Sequence, residues 1–152
     1  MESNGQVQFH FLTPATFLKK RRELKKFILQ LIKAEGKRVE HINYIFCSDD
    51  YLLKINRKYL KHNYYTDIIT FDLSEENQKV IADIFISIDR VVENARTIRV
   101  SRNTELCRII FHGALHMCGY KDKEKHEKAK MNQKEDEYLL RWFHVELSRR
   151  KH

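Results

Sequence analysis

The stretch Val80-Ile-Ala-Asp-Ile-Phe-Ile-Ser-Ile88 decides the fold. Only Asp83 and Ser87 break its apolar character. A run this short and this apolar reads as a strand inside a sheet, covered on both faces. Upstream of it, Ser74–Lys79 is a polar turn and Asp67–Leu73 a β-branched and aromatic strand. Further back, Val39–Cys47 sets Ile42, Tyr44 and Phe46 on one face, and Gln6–Phe11 is a short first strand. Between them Thr13 serves as N-cap and Pro14 as first helical residue. The expected helix runs to about Ala34, with Phe17, Leu24, Phe27, Ile28, Leu31 and Ile32 inward and Gly36 ending it. Ser48 and Asp49 cap a helix through Tyr59 with Leu52, Leu53 and Ile55 inside, and Lys61–Tyr65 is a loop.

Downstream, a helix runs to about Thr97. Ser101 caps another, with Leu106, Ile109, Ile110, Ala114 and Leu115 inward, that ends at Gly119. A last helix, about His126–Val145, carries Met131, Tyr138, Leu139, Trp142 and Phe143. The order β α β α β β α α α makes the chain α+β: a four-stranded sheet packed against about five helices. Its 152 residues are enough for one domain, 1–152, and too few for two.

Apolar residues make up 42% of the chain, enough for a core, yet no apolar run approaches the ~18 residues that cross a bilayer. Met1–Phe11 lacks the apolar region of a secretion signal, so a cytoplasmic protein is expected. Cys47, Cys107 and Cys118 form no C-x-x-C pair and read as reduced thiols. Lys and Arg outnumber Asp and Glu by 29 to 21, a net charge of +8 that favours polyanions, nucleic acid above all.

The chemistry concentrates in Phe111-His-Gly-Ala-Leu-His-Met-Cys-Gly-Tyr-Lys-Asp122. On a helix, four residues turn about 400° and rise about 6 Å, so His112 and His116 project from one face. Eight histidines give such a pair by chance about 0.4 times, so the pair alone decides little. The rest of the pattern adds to it. Gly119 can end the helix in the left-handed conformation and let the chain fold back, bringing Asp122 under the same metal. Two imidazoles and one carboxylate leave tetrahedral Zn²⁺, one per chain, with an open position, the mark of a catalytic site. His126 is the rival third ligand. A metalloprotease helix reads His-Glu-x-x-His with the Glu as general base. Position 113 is Gly, which cannot abstract a proton, so a peptidase lacks its base. No side-chain base is assigned, and the expected nucleophile is metal-bound water, its pKa lowered toward about 7. A phosphodiester held by Lys and Arg fits both the metal and the charge.

Three motifs together resemble the YbeY family. They are HGALHMCGY over 112–120, KHEKAKMNQKEDEYL over 125–139 and YYTDIITFDL over 64–73. The likeness runs from about Asn56 to Leu139. It implies a metal-dependent endoribonuclease specific for single strands, with zinc on the long helix that ends at the HGxLHxxG motif. It also implies rRNA maturation at the 3′ end of small-subunit 16S rRNA, ribosome quality control, and the small ribosomal subunit as partner. The family's helix ligands fall on His112 and His116. Its third ligand is most often His, and Asp122 occupies that position here. A carboxylate is a legitimate Zn²⁺ ligand, but its charge makes the bound water less acidic and Mn²⁺ or Mg²⁺ more competitive.

Many members carry an Arg four residues after the Asn matched by Asn56. Here that position is Leu60, which leaves Arg57, Lys58 and Lys61 as the side chains to hold RNA. The missing Arg gives weight to a second reading, a non-catalytic ribosome-associated factor, and a small metallopeptidase ranks below it. Thr66 and Asp67 match a family Thr-Asp and are expected to organise the loop mouth by hydrogen bonds. Asp83 needs a polar partner if buried: either a ligating imidazole or water at an edge. Met131 and Glu135 match the last helix and are expected to pack and cap. The Lys19–Lys26 run reads as the wet face of the first long helix.

Overall fold

The computed structural model describes residues 5–150, with side chains through His144. The strands are β1 (Gln6–Phe11), β2 (Val39–Cys47), β3 (Ile68–Asp72) and β4 (Val80–Ser87). The helices are α1 (Arg21–Ala34), α2 (Asp49–Ile55), α3 (Ile88–Ile98), α4 (Arg102–Met117) and α5 (Lys125–Arg150). Asn56–Leu60 continues α2 as a π-helical turn. The α+β class, the four strands and the five helices follow the sequence reading.

The apolar stretch at 80–87 does become an inner strand. The sheet order is β1-β2-β4-β3, with β1, β2 and β4 parallel and β3 antiparallel to β4. On one face Ile42, Tyr44 and Phe46 of β2 and Ala82, Ile84 and Ile86 of β4 are buried with α1 and α4 residues in the main core. Burying each of the larger side chains stabilises the fold by roughly 1.5–3 kcal/mol. The Tyr44 hydroxyl, fully buried, donates to the Ile110 carbonyl of α4 at 2.9 Å and so avoids an unpaired polar group. Phe27 of α1 touches Phe111 of α4 and Trp142 of α5 at ring-centroid distances of 5.3 Å, which ties the three helices together.

Cover on the other face is only partial, which corrects the expectation for β4. Phe85 packs with Cys47, Leu52, Ile69 and Phe71 under α2. Farther along, Asp83 accepts from Asn43 Nδ2 at 3.1 Å, and Asn43 Oδ1 is shared by His10 and His41. Asp83 therefore faces away from α4, and its partner is Asn43 rather than a ligating imidazole.

The start of α1 also differs from the Thr13–Pro14 expectation. Leu12 and Thr13 both donate their backbone N–H groups to Phe46 O, so the chain there still follows β2. Arg21 ties down the next segment through Ala15 O and Leu18 O, and Lys20 in the left-handed conformation (φ 54°) redirects the chain into the helix. The local cap signal yields to a strand-edge hydrogen bond. Ser48 and Ser101 do cap α2 and α4, accepting from Tyr51 N and Thr104 N.

Candidate metal centre

α4 packs tightly on the sheet at Gly113. A Cβ there would stand 3.1 Å from both Ile68 Cδ1 and Ile84 Cγ2. That fixes which way the helix faces. Position 113 points into the core, while His112 and His116, half-buried, project from the adjoining face with ring centroids 4.5 Å apart. A glutamate at 113 would push its carboxylate against Ile68 and Ile84 rather than toward the histidine face.

The helix ends at Met117, and Gly119 takes φ +100°, a conformation costly for residues with a Cβ. The Tyr120 N–H then returns to Leu115 O at 3.1 Å. This reversal does two things. It sets the Tyr120 carbonyl 2.8 Å from His116 Nδ1, and it carries Asp122 Oδ2 to 3.2 Å from His112 Nε2 and 3.3 Å from His116 Nε2. His112 Nδ1 lies 2.7 Å from Glu135 Oε2.

Each Nδ1 therefore faces an acceptor, Tyr120 O or the Glu135 carboxylate, which places the ring proton on Nδ1. Both Nε2 atoms are then lone-pair donors, converging with a carboxylate oxygen. Three acceptors this close repel one another unless a cation or a proton lies among them. His112, His116 and Asp122 form a group whose ligand atoms all lie within 4.8 Å of one another, a fit for a metal ion. Burial lowers the affinity of His112 for a proton, but the Glu135 hydrogen bond and charge, with Asp122 and Asp67, outweigh it and raise its pKa. The pocket thus favours positive charge. Burial pushes the Asp67 carboxyl above its ordinary value, with His112 partly offsetting that.

His126 is not brought into this group. Its side chain is 78% exposed, with Nδ1 3.5 Å from Glu124 Oε2. Cys118 lies beside the turn, but burial, helped by the Glu35 charge, pushes its thiol up to about 12, far from a thiolate ligand. Cys47, Cys107 and Cys118 are not joined by disulfides, as expected.

Glu135 packs as expected, buried at 4% exposure, but its carboxylate holds His112 rather than capping a helix. Arg108 braces it, its Nη1 lying 3.3 Å from Glu135 Oε1 and 3.0 Å from Asp136 Oδ1. The signal was present: Met131, Glu135, Tyr138 and Trp142 share one helix face, so a carboxylate occupies an apolar stripe. On the other side, Glu35 accepts from the Tyr120 hydroxyl at 2.6 Å and from the Tyr138 hydroxyl, and lies 3.1 Å from Lys134 Nζ.

Arg57, Lys58 and Lys61 are exposed on the turn and loop after α2. Arg57 donates to Asn63, Lys58 stands 5.2 Å from the Tyr59 ring centroid, and Lys61 has φ 55°. Leu60 beside them is 40% exposed. The Asp67 carbonyl accepts from Ser87 N at 2.9 Å, which extends the β3–β4 pairing, and Thr66 Oγ1 donates to Ile68 O at 3.3 Å.

The chain is similar to known proteins over most of its length. The family model described as Endoribonuclease YbeY matches residues 8–142. Endoribonuclease YbeY of Cytophaga hutchinsonii is 50% identical over 127 residues, 83% of this chain and 89% of that one. The Porphyromonas gingivalis protein of the same name is 47% identical over 121 residues, 80% of each chain. The Christiangramia forsetii one is 42% identical over 142 residues, 93% of this chain and 97% of its own. A Thermotoga maritima protein of known solution structure superposes with a TM-score of 0.62 at 30% identity, covering 86% of each chain. The resemblance first carried by three short motifs thus extends over nearly the whole molecule, and the chain belongs to the YbeY endoribonuclease family.

Proposed function

We propose that this protein is a metal-dependent endoribonuclease that hydrolyses single-stranded RNA, with His112, His116 and Asp122 as the metal-holding residues. The observation that carries it is the meeting of two Nε2 lone pairs and one carboxylate oxygen at 3.2–3.3 Å, on a chain of this family. Three protein ligands of N, N and O type suit a catalytic Zn²⁺, which keeps its fourth position for water or substrate, and Mn²⁺ or Mg²⁺ are the alternatives the carboxylate admits. When bound, the ion supplies Lewis acidity toward a phosphoryl oxygen and a lowered pKa for water.

The chain's own residues do the rest. Glu135 and the Tyr120 carbonyl keep both imidazoles in the tautomer that offers Nε2. Arg57, Lys58 and Lys61 hold phosphates of the strand, and at least one of them serves where many relatives have Arg and this chain has Leu60. The substrate is rRNA near the 3′ end of the small-subunit molecule, met on the small ribosomal subunit in the cytoplasm. The net charge of +8 supports a polyanionic substrate. No helix among the described residues is long and apolar enough to cross a membrane.

The test is metal content and cleavage of single-stranded RNA on one preparation, with and without chelator, for wild type, His116→Ala, Asp122→Ala and His126→Ala. One ion per chain, lost with cleavage in His116→Ala and Asp122→Ala but kept in His126→Ala, is the expected outcome. Cleavage that survives both chelation and His116→Ala sinks the proposal.

A further inference from the structure

The segment Asn56–Tyr65 carries three cations and three tyrosines and no acidic residue. Its shape is built rather than loose. Asn56 is 1% exposed, donates from Nδ2 to Tyr64 O at 2.9 Å, and accepts at its own carbonyl from His62 N at 3.2 Å. A π-helical turn followed by Lys61 in the left-handed conformation is a costly backbone to hold, and such turns gather at functional sites. The result is display of aromatic rings. Tyr64 is 57% and Tyr65 47% exposed, although burying a tyrosine ring ordinarily stabilises a fold.

Each ring has one face backed. His62 stacks against Tyr64 with centroids 5.2 Å apart and planes 20° from parallel, its Nδ1 within 3.0 Å of the Tyr64 hydroxyl. Arg90 lies 5.0 Å from the Tyr65 centroid, and the Tyr65 hydroxyl donates to Asp50 at 3.4 Å. Those contacts fix the ring planes and leave the exposed area to the opposite face and edge. In sequence the strip runs on toward the metal centre: three residues after Tyr65 comes Ile68, whose Cδ1 lies against Gly113, one position along α4 from His112.

Fixed, exposed rings interleaved with cations match one ligand chemistry: unpaired nucleobases on a phosphodiester backbone. Resting on the nuclease reading above, we infer that Tyr64 and Tyr65 form a base-stacking subsite that seats single-stranded RNA beside the metal centre. Phosphates alone would be served by Arg57, Lys58 and Lys61. The tyrosines add contact to bases that a duplex keeps stacked inside, so this subsite is what selects single strands.

The test measures binding of a short fluorescein-labelled single-stranded RNA in excess chelator, beside an abasic oligomer of equal length and charge. Wild type should prefer the base-bearing strand by at least about tenfold, stacking on one ring alone being worth about that much. Tyr64→Ala and Tyr65→Ala should each reduce this preference with little change for the abasic strand. Tyr64→Phe and Tyr65→Phe, which keep the rings, should retain it. Equal affinity of wild type for both strands, or an undiminished preference in the alanine variants, overturns the inference. So does an unchanged preference together with lost association with small ribosomal subunits, which would make the strip a protein contact. Cleavage of the same strand by metal-loaded wild type is scored separately. Cleavage without base preference defeats the stacking subsite alone, and base preference without cleavage defeats the nuclease reading alone.

Discussion

Glu135 on α5 and His112 on α4 meet at 2.7 Å, carboxylate to Nδ1, across 23 residues of sequence. The contact holds the His112 ring and fixes its proton. Glu135 is in turn fixed by Arg108. Orienting partners of this kind are worth roughly 10–100-fold in metal affinity. Glu135→Ala should therefore weaken metal binding toward the upper end of that range. Glu135→Gln keeps an acceptor for the Nδ1 proton but loses the charge, and should weaken it by about tenfold or less. Competition with a chromogenic chelator reads both values, and unaltered affinity in Glu135→Ala would remove Glu135 from the site.

Gly113 separates the histidine face of α4 from the sheet. Gly113→Ala gains about 1 kcal/mol of helix propensity, against roughly 1–3 kcal/mol for crowding Ile68 and Ile84 at 3.1 Å. A net loss of up to about 2 kcal/mol is expected from urea denaturation. Gly113→Glu, which writes His-Glu-x-x-His into the helix, should bury an unpaired carboxylate and cost several kcal/mol. A stably folded Gly113→Glu protein with peptidase activity would contradict both the packing and the functional argument.

These two residues also mark where sequence reading succeeds and where it stops. The spacing of His112, His116, Gly119 and Asp122 is local, because a helix period and one glycine turn generate it, and the structure brings the three side chains together. The same holds for β4, whose apolar density needs no partner to be recognised, and for the caps at Ser48 and Ser101. Glu135 reaches His112 only through the packing of α5 on α4, which no spacing encodes. Its trace was a charge on an apolar stripe. Thr13 and Pro14 are a valid local helix start, overridden when Leu12 and Thr13 bond to Phe46 of a strand far away in sequence. Asp83 sits in the strand beside α4 but on its far face, a distinction of one residue in register.

Arg57, Lys58 and Lys61 should act on RNA through charge. Each contact to a single-stranded phosphate contributes about 0.7 to the slope of log K against log salt. Lys58→Ala and Lys61→Ala should each weaken binding of a single-stranded RNA and flatten that slope by about this amount, alike for different sequences. Arg57 also donates to Asn63, so Arg57→Ala should in addition loosen the loop. Anisotropy titrations over a salt series measure the slopes, and a wild-type slope in all three variants would place the phosphate contacts elsewhere.

Glu35 joins α1 to the turn after α4 and to α5, accepting from Tyr120 and Tyr138 beside Lys134. Burial alone would raise its pKa. The two hydroxyls and Lys134 outweigh that and hold it below the ordinary value of 4.5. The folded state thus favours the ionised form. Stability from this group is fully present above the unfolded value of 4.5 and is lost as pH falls through the lower folded value. Glu35→Gln should cost about 1–3 kcal/mol near pH 7, as expected for hydrogen bonds to a charged group. The gap between wild type and Glu35→Gln should narrow as pH drops below 4.5. The effect should reach the metal centre as well. The Tyr120 hydroxyl is tied to Glu35 while the Tyr120 carbonyl orients His116, so releasing one end frees the other. Glu35→Gln should therefore lower metal affinity with no change to any ligand. Urea denaturation across pH, paired with chelator competition, checks both parts. A stability gap that stays constant with pH would show that the Glu35 carboxylate is not held in its charged form by this network.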